Sequence, residues 1–172
     1  MRQPPETLPQ PAWIGLGANL GDAAAALRKA VEAIAALPGC TLEAVSPLYR
    51  TAPYEASGPD FLNAVIRIAT TMAPEPLLRA LQAIENDAGR TRPYRNAPRT
   101  LDLDLLWYCS PSYVFTSDLL TLPHPRWQTR AFVLRPLADI APAMIDAELL
   151  QHVSSQQAQR LPSSAQWPYA AA

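Results

Sequence analysis

Apolar residues spaced three and four positions apart, which is the period of one helix face, mark three stretches of the chain. They predict helices over residues 23–37, 74–88 and 127–141, the last of them interrupted by Pro136. Asp22 precedes the first stretch in the position of an N-cap, where a carboxylate accepts a hydrogen bond from the first helical turn. Each predicted helix therefore has one apolar face to bury.

A second period, with apolar residues at alternate positions or in short continuous runs, indicates strands. It predicts strands over 12–17, 40–51, 61–71 and 100–108, with an edge or a bulge at Pro47. Tyr113 to Thr116 are predicted to form the return strand of a hairpin that follows the 100–108 strand. The order strand–helix–strand–strand–helix–strand, followed by a hairpin and a helix, favours the α+β class. We expect a ferredoxin-like α/β sandwich with an added hairpin and a C-terminal helix.

Length and composition predict a single domain and a cytoplasmic protein. At 172 residues the chain is long enough to bury one core. We expect residues 1–11, with four prolines, to form a flexible leader, residues 12–150 to form the domain, and residues 151–172 to form a polar C-terminal tail. The two cysteines lack the spacing of metal ligands or of a disulfide framework. No apolar run approaches the ~20 residues that span a bilayer.

The distribution of charge points to one segment. The net charge is −1, yet residues 90–130 contain six arginines and three aspartates. Two of these, Asp102 and Asp104, alternate with leucines on a predicted strand, so they share one face about 6–7 Å apart at Cα. Guanidinium groups match phosphate oxygens, and Mg²⁺ prefers a few hard oxygen ligands together with water and phosphate. An acid pair beside an arginine cluster therefore predicts a site for Mg²⁺ and a polyphosphate.

A simpler interpretation of the acid pair remains open at this point. A strand that alternates leucine and aspartate is also what a half-exposed antiparallel strand looks like, with its carboxylates facing water. Aspartate is, however, a poor strand former, and such local conflicts occur mainly at functional sites.

Several blocks of the sequence resemble one enzyme family. They are residues 14–21 (Ile-Gly-Leu-Gly-Ala-Asn-Leu-Gly), 46–53 (Ser-Pro-Leu-Tyr-Arg-Thr-Ala-Pro), 60–64 (Asp-Phe-Leu-Asn-Ala), 98–104 (Pro-Arg-Thr-Leu-Asp-Leu-Asp) and 122–134, which opens with Leu-Pro-His-Pro-Arg. In these blocks the chain resembles the 6-hydroxymethyl-7,8-dihydropterin pyrophosphokinases. Members of that folate-biosynthesis family transfer a pyrophosphoryl group from ATP to a pterin alcohol and release AMP.

The resemblance implies a role for each matching residue on the nucleotide side. It implies two Mg²⁺ ions held by Asp102 and Asp104 against the phosphates of ATP. The implied catalytic residues are Arg90, Arg92, Arg99, Asp102 and Asp104. The implied ATP-binding residues are Gln82, Glu85, Arg90, Arg99, Thr121, His124 and Arg130. The alternative for any single arginine is a solvated surface position. The alternative for Gln82 and Glu85 is that they form the polar face of a helix.

The pterin pocket is implied in the same way. Its matching residues are Thr51, Pro53, Tyr54, Phe61, Asn63, Asp102 and Phe132. Phe61 and Phe132 match two rings that stack on either side of the flat pterin, and the amide of Asn63 can both donate and accept at its edge. Core packing is the alternative for both phenylalanines.

One position departs from the family pattern. Many relatives have Arg-Trp-Gly-Pro where this chain has Arg95-Asn96-Ala97-Pro98, so a tryptophan that can fold over the pterin is missing. We expect Tyr94 to fold over the bound pterin in place of that tryptophan. The glycine pattern of Gly15, Gly17 and Gly21 differs in spacing from a dinucleotide fingerprint, and we expect a tight turn there near the floor of the pterin pocket.

Two other classes of function compete with this one. Another Mg²⁺-dependent nucleotide enzyme on the same fold, such as a nucleotidyltransferase, would release pyrophosphate, and a simple kinase would release ADP. An RNA-binding or regulatory module would need a broad basic face with stacking aromatics, which the pattern does not indicate. We expect small-molecule substrates, no nucleic acid, no membrane, and a monomer.

Overall fold

An antiparallel sheet of six strands, backed by helices on both faces, forms the centre of the computed structural model, which describes residues 8–53, 55, 57–89 and 100–169. The elements are β1 (Gln10–Ala18), α1 (Ala23–Ala35), β2 (Cys40–Val45), β3 (Tyr49–Thr51), β4 (Phe61–Thr70), α2 (Pro74–Asp87), β5 (Asp102–Tyr108), β6 (Phe115–Thr116), β7 (Thr121–Leu122), α3 (Ala131–Ile140), α4 (Ala147–His152) and β8 (Ala158–Arg160). The strand order is β5-β1-β4-β3-β8, and β2 also pairs with β4. With β2 and β3 counted as the two halves of one interrupted strand, the order is βαββαβ, and this order and the sheet confirm the predicted ferredoxin-like α/β sandwich.

Alternation along the strands divides the sheet into two faces. The closed face carries the apolar side chains that pack under α1 and α2, among them Ile14, Leu16, Ile66, Leu103 and Leu105. The open face carries the other side chains of the same strands, and α3 covers the end of it formed by Trp13, Val65, Leu106 and Trp107. Asp22 caps α1 as predicted, because its Oδ1 accepts a hydrogen bond from the N–H of Ala25 at 3.1 Å.

The predicted strand over residues 40–51 is two strands. It is interrupted at Ser46, Pro47 and Leu48, where a proline cannot donate to the sheet. The hydroxyl of Ser46 accepts a hydrogen bond from the N–H of Val65 at 2.9 Å, so the backbone of β4 stays paired across the break. A register shift between Leu42 and Ala44 adds a bulge in β2.

Two further local expectations are corrected by the structure, and a third is narrowed. The hairpin after β5 forms between β6 and β7, not between the 113–116 segment and β5. The tight turn expected from the glycine pattern is at Gly21, whose φ is +61°, whereas Gly15 and Gly17 lie inside β1, in the part of the chain predicted as a strand. The third helix is a 3₁₀ turn over Trp127–Thr129 followed by α3, with Pro136 inside α3.

Residues beyond the predicted domain limits also belong to the fold. The first strand already includes Gln10 and Pro11, two residues earlier than expected. In the segment that we set apart as a polar tail, β8 pairs with β3, and Trp167 is 1% exposed in the core under the closed face. The indole of Trp167 donates to the carbonyl of Ser46 at 3.0 Å. The tail thus covers an edge and fills part of the core. Among the helices described, none is long and apolar enough to cross a membrane.

Candidate active site

The acid pair lies on the open face beside two glycines. In the antiparallel pairing of β1 with β5, Gly17 is opposite Asp102 and Gly15 is opposite Asp104. Both aspartates are partly exposed, while Leu103 between them is buried in the core of the closed face. Because directly paired residues lie on the same face and glycine has no side chain, β1 places no side chain of its own beside either carboxylate.

On the other side of the glycines, β4 presents Asn63. Asn63 pairs with Gly17 across β1 and β4, so Asp102, Gly17 and Asn63 form one row across three strands. The amide of Asn63 donates to the hydroxyl of Thr51 at 2.7 Å, and both side chains are buried. A Cβ added at Gly17 would lie 2.8 Å from the Asn63 Oδ1. Glycine at this position is therefore what allows the Asn63 amide to lie against β1.

Phe132, on the first turn of α3, completes this row. A cavity of about 20 Å³ is lined by both glycines, Asn63, both aspartates and Phe132. A neighbouring cavity of about 230 Å³ lies between Thr51 and Pro53 on one side and Phe132 and Gln156 on the other. The structure thus brings together the acid pair and most of the predicted pterin residues. Phe61 is partly buried two residues before Asn63 on the same face of β4.

Arg130 bridges the two groups of residues. Its Nη1 lies 4.0 Å from Oδ2 of Asp104, with side chains that are 18% and 34% exposed, respectively. Its guanidinium lies 5.3 Å from the centre of the Phe132 ring, within the range of a cation–π contact. Arg130 therefore places a positive charge where it could contact an anion bound next to the acid pair.

A larger cavity opens on the other side of Asp104. It measures about 320 Å³ and is lined by Asp104, Thr121 and His124 together with residues of the β6–β7 connection. The Nδ1 of His124 accepts a hydrogen bond from the N–H of Arg126 at 3.1 Å, so a neutral imidazole carries its proton on Nε2. Burial, followed by the positive charges of Arg130 and Arg126, lowers the pKa of His124 to about 4, against a smaller opposing effect of Asp102. His124 is thus a neutral donor at physiological pH.

The two predicted residues on α2 have different surroundings. Glu85 is 2% exposed, and its Oε1 accepts a hydrogen bond from the N–H of Leu103 at 2.7 Å. This bond holds β5 at the residue between the two aspartates. Gln82 is exposed one turn earlier on the same helix.

Comparison with known proteins assigns the chain to a family. Residues 13–142 match the model of the 7,8-dihydro-6-hydroxymethylpterin-pyrophosphokinase (HPPK) family. The chain belongs to the HPPK family. It is 45% identical over 134 residues to the 2-amino-4-hydroxy-6-hydroxymethyldihydropteridine pyrophosphokinase of Pseudomonas aeruginosa, covering 77% of this chain and 82% of that protein.

Longer proteins contain a similar region. The chain is 40% identical over 135 residues to the folic acid synthesis protein fol1 of Schizosaccharomyces pombe, covering 78% of this chain but only 18% of fol1. A crystal structure of an HPPK-DHPS variant of Plasmodium falciparum with pteroate matches at a TM-score of 0.64 and 12% identity, covering 88% of this chain and 44% of that one. This last similarity supports the fold alone.

The donor set on the open face of this HPPK-family chain suits a hard cation. Asp102 and Asp104 supply carboxylate oxygens on one face, next to space for further ligands. Within the described ranges, no group of three or more His, Cys, Asp or Glu side chains could hold a metal ion. Mg²⁺ is typically bound by one or two carboxylates, with water and substrate phosphates in the remaining positions, so the pair fits it.

Some predicted residues lie outside the described part of the chain. These are Arg90, Arg92 and Arg99, the closure candidate Tyr94, and Tyr54 of the pterin set. One residue at the site was missed by the sequence reasoning. Gln156 lines the cavity beside Phe132, and its side chain bonds to the backbone of Thr129 and Ala131. No local pattern marks it, because both contacts span 25 residues or more.

Proposed function

We propose that this chain catalyses the transfer of the β- and γ-phosphates of ATP to the hydroxymethyl group of 6-hydroxymethyl-7,8-dihydropterin in folate biosynthesis. The hydroxymethyl oxygen bonds to the β-phosphorus, and the bond between that phosphorus and the oxygen bridging to the α-phosphate breaks. AMP leaves with the bridging oxygen, and the hydroxyl proton passes to solvent. The observation that carries the proposal is the row Asp102, Gly17 and Asn63, which joins the acid pair to an amide and an aromatic ring across one strand.

The pterin side of the proposal rests on the cavity wall around Asn63. One of its two amide N–H groups donates to Thr51, so its Oδ1 can accept from an N–H of the pterin and its second N–H can donate to the pterin edge. Phe132 offers one flat face for stacking, and Phe61 is the proposed second face. Thr51 and Pro53 line the adjoining cavity and would border the substrate. Tyr54 remains part of the proposed set on the family resemblance alone.

The nucleotide side rests on the cavity beyond Asp104. Transfer of this kind needs positioned charge rather than a protein nucleophile. His124 can donate from Nε2 to a phosphate oxygen, Arg130 can neutralise phosphate charge, and Thr121 can donate from its hydroxyl. For Gln82 and Glu85 we keep the role in ATP binding that the family resemblance implies. Arg90, Arg92 and Arg99 keep the roles in ATP binding and catalysis that the family resemblance implies.

We propose that the enzyme depends on Mg²⁺, with two ions held by Asp102 and Asp104. When bound, the ions neutralise phosphate charge and orient the transferred group. The carboxylates contribute by lying on one rigid strand, which Glu85 fixes at Leu103. We also expect a monomer that acts in the cytoplasm, and size-exclusion chromatography with light scattering checks the oligomeric state.

The decisive experiment is incubation of the full chain with ATP, Mg²⁺ and the reduced hydroxymethylpterin, followed by separation of the nucleotides. We expect AMP in amounts equal to the pyrophosphorylated pterin, and none without pterin or with excess EDTA. Formation of ADP would indicate a simple kinase, and release of pyrophosphate would indicate a nucleotidyltransferase. Either result, or no pterin-dependent product, contradicts the proposal.

A further inference from the structure

A hydrogen-bonded amide from the C-terminal segment holds the loop that carries two proposed binding residues. The Oε1 of Gln156 accepts from the N–H of Ala131 at 2.9 Å, and its Nε2 donates to the carbonyl of Thr129 at 2.8 Å. The side chain thus bonds to the backbone on both sides of Arg130. Arg130 precedes α3 and its own side chain makes no capping hydrogen bond, so Gln156 satisfies the first N–H of that helix.

The segment that carries Gln156, residues 153–158, is fixed on both sides of it. Its N–H donates to the carbonyl of Val153 at 3.0 Å, and Val153 is 1% exposed under α3. Two residues later, Ala158 pairs with Thr51 as β8 joins β3. The side-chain amide therefore reaches the 129–131 backbone from an anchored segment. One side of this segment is packed in the core, and the other side pairs with Thr51, which lines the cavity beside Phe132 (the pterin cavity).

A second contact holds the far end of α3. The hydroxyl of Tyr49 on β3 donates to Asp139 at 2.6 Å, and Arg160 of β8 lies 3.7 Å from the same carboxylate. Burial, together with the hydrogen bond to Asp139, raises the pKa of Tyr49, so the phenol stays a neutral donor. The C-terminal end of α3 is thus already fixed to β3. Its N-terminal turn, where Arg130 and Phe132 lie, is held by the buried side chains of Ala131 and Val133 and by the two hydrogen bonds of Gln156.

We infer that Gln156 is a positioning residue of the enzyme, acting through the backbone of Thr129 to Ala131 on Arg130 and Phe132. The segment that supplies it lies beyond the residues that match the family model, which end at 142. The inference rests on the proposed function, since it assigns Gln156 to the binding of the two substrates. In this role the amide keeps the ring of Phe132 against the pterin cavity and the guanidinium of Arg130 beside Asp104.

The test compares two substitutions at Gln156 with a matched substitution nearby. Gln156→Met keeps the length of the side chain but removes both hydrogen bonds, and Gln156→Glu keeps an acceptor for the N–H of Ala131. Gln151→Met changes an exposed glutamine of α4 in the same segment and is the control. We expect Q156M to raise KM for the pterin and for ATP about five- to tenfold, the size expected for a lost hydrogen bond, and Q156E to raise them as well, because its second carboxylate oxygen would face the carbonyl of Thr129 without a proton to donate.

The KM values separate positioning from a merely structural role. A variant that only unfolds more easily would lower the active fraction and the apparent kcat while leaving both KM values unchanged. Unchanged KM values in Q156M, or an equal rise in Q151M, would overturn the inference. So would wild-type KM values in Q156E, which lacks the donor to Thr129.

A measurement without turnover keeps this test distinct from that of the proposed function. Hydrogen exchange at the amide of Ala131 should be faster in Q156M than in the wild type, and equal in Q151M and the wild type, because Gln156 accepts from that amide. Equal exchange in Q156M and the wild type contradicts the geometry whether or not the protein forms AMP. Absence of AMP from the wild type, with the exchange changed as expected, would instead overturn the proposed function.

Discussion

The two faces of the sheet use the same strands for different purposes. On the closed face, Leu103 and Leu105 of β5 are buried under α1 and α2 with Ile14 and Leu16 of β1. On the open face, α3 covers one end of the strands, and the other end carries two aspartates, two glycines and an asparagine around small cavities. Adjacent residues of one strand therefore have different roles, the leucines in stability and the aspartates in the proposed reaction. Substitutions on the closed face should lower the stability, and substitutions of the aspartates should lower the activity.

Substitution of an aspartate on the open face should have the largest effect. Asp104→Asn and Asp102→Asn keep the size of the side chain and remove the charge proposed to hold Mg²⁺. We expect kcat for AMP formation to fall about a thousandfold in each, as for the loss of a major electrostatic group. The free energy of unfolding should change by less than about 1 kcal/mol, since both side chains are partly exposed. A variant with near wild-type kcat would break the assignment of the acid pair.

The neighbouring leucine provides the matched opposite case. Leu103→Ala removes a side chain that is 4% exposed in the core of the closed face. We expect the free energy of unfolding to fall by about 2–5 kcal/mol, measured by urea denaturation, because a cavity replaces packed methyl groups. The folded fraction should keep the wild-type KM values. If L103A lost stability and also raised KM strongly, the separation between the two faces would not hold.

Glycine-to-alanine substitutions test whether the position of the Asn63 amide on the open face requires a residue without a side chain in β1. Gly17→Ala places a Cβ 2.8 Å from Oδ1 of Asn63, so the amide must move and its bond to Thr51 is disturbed. We expect a cost of about 1–3 kcal/mol in stability, typical of overpacking, and a higher KM for the pterin. Gly15→Ala is the comparison, since the atoms nearest to its Cβ are those of the Leu106 side chain, at an ordinary contact distance of 3.5 Å. Equal KM values for the pterin in the two variants would contradict the proposed shape.

The smallest effect is expected in the pH dependence of stability. The pKa of His124 is lowered to about 4, from an ordinary value near 6.5. Between these values the unfolded chain binds a proton that the folded chain does not, so stability falls as the pH drops from about 6.5 to 4. We expect the Tm of His124→Gln to fall less over this range than that of the wild type. His152→Gln, an exposed position at the end of α4, should follow the wild type, and a parallel decrease in all three proteins would contradict the role of His124.

Local patterns predicted the parts of the fold that depend on neighbours in the sequence. The period of a strand determines the alternation of Leu103 with Asp102 and Asp104. The first turn of a helix determines the cap at Asp22. Parts that depend on distant contacts were not predictable in this way. The polar composition after residue 150 gave no sign that β8 would pair with β3 or that Trp167 would enter the core.

The site follows the same rule. The acid pair could be recognised from its spacing, because aspartate on a strand conflicts with local preference. The family resemblance supplied Asn63, Phe132 and His124, and the structure brings them to cavities that share Asp104. The contribution of Gln156 needed the tertiary structure, since a glutamine in a polar segment resembles any surface residue until its partners are known.

The indole of Trp167 has a consequence for the biosynthesis of the protein. Its hydrogen bond to Ser46 joins residues that are 121 positions apart, so it closes one of the longest loops in the chain. During synthesis the two helices and the strands between residues 10 and 108 emerge before this tryptophan does. The part of their shared core that Trp167 covers therefore stays exposed until residue 167 has emerged, and a nascent chain stalled before that point exposes apolar surface to chaperones.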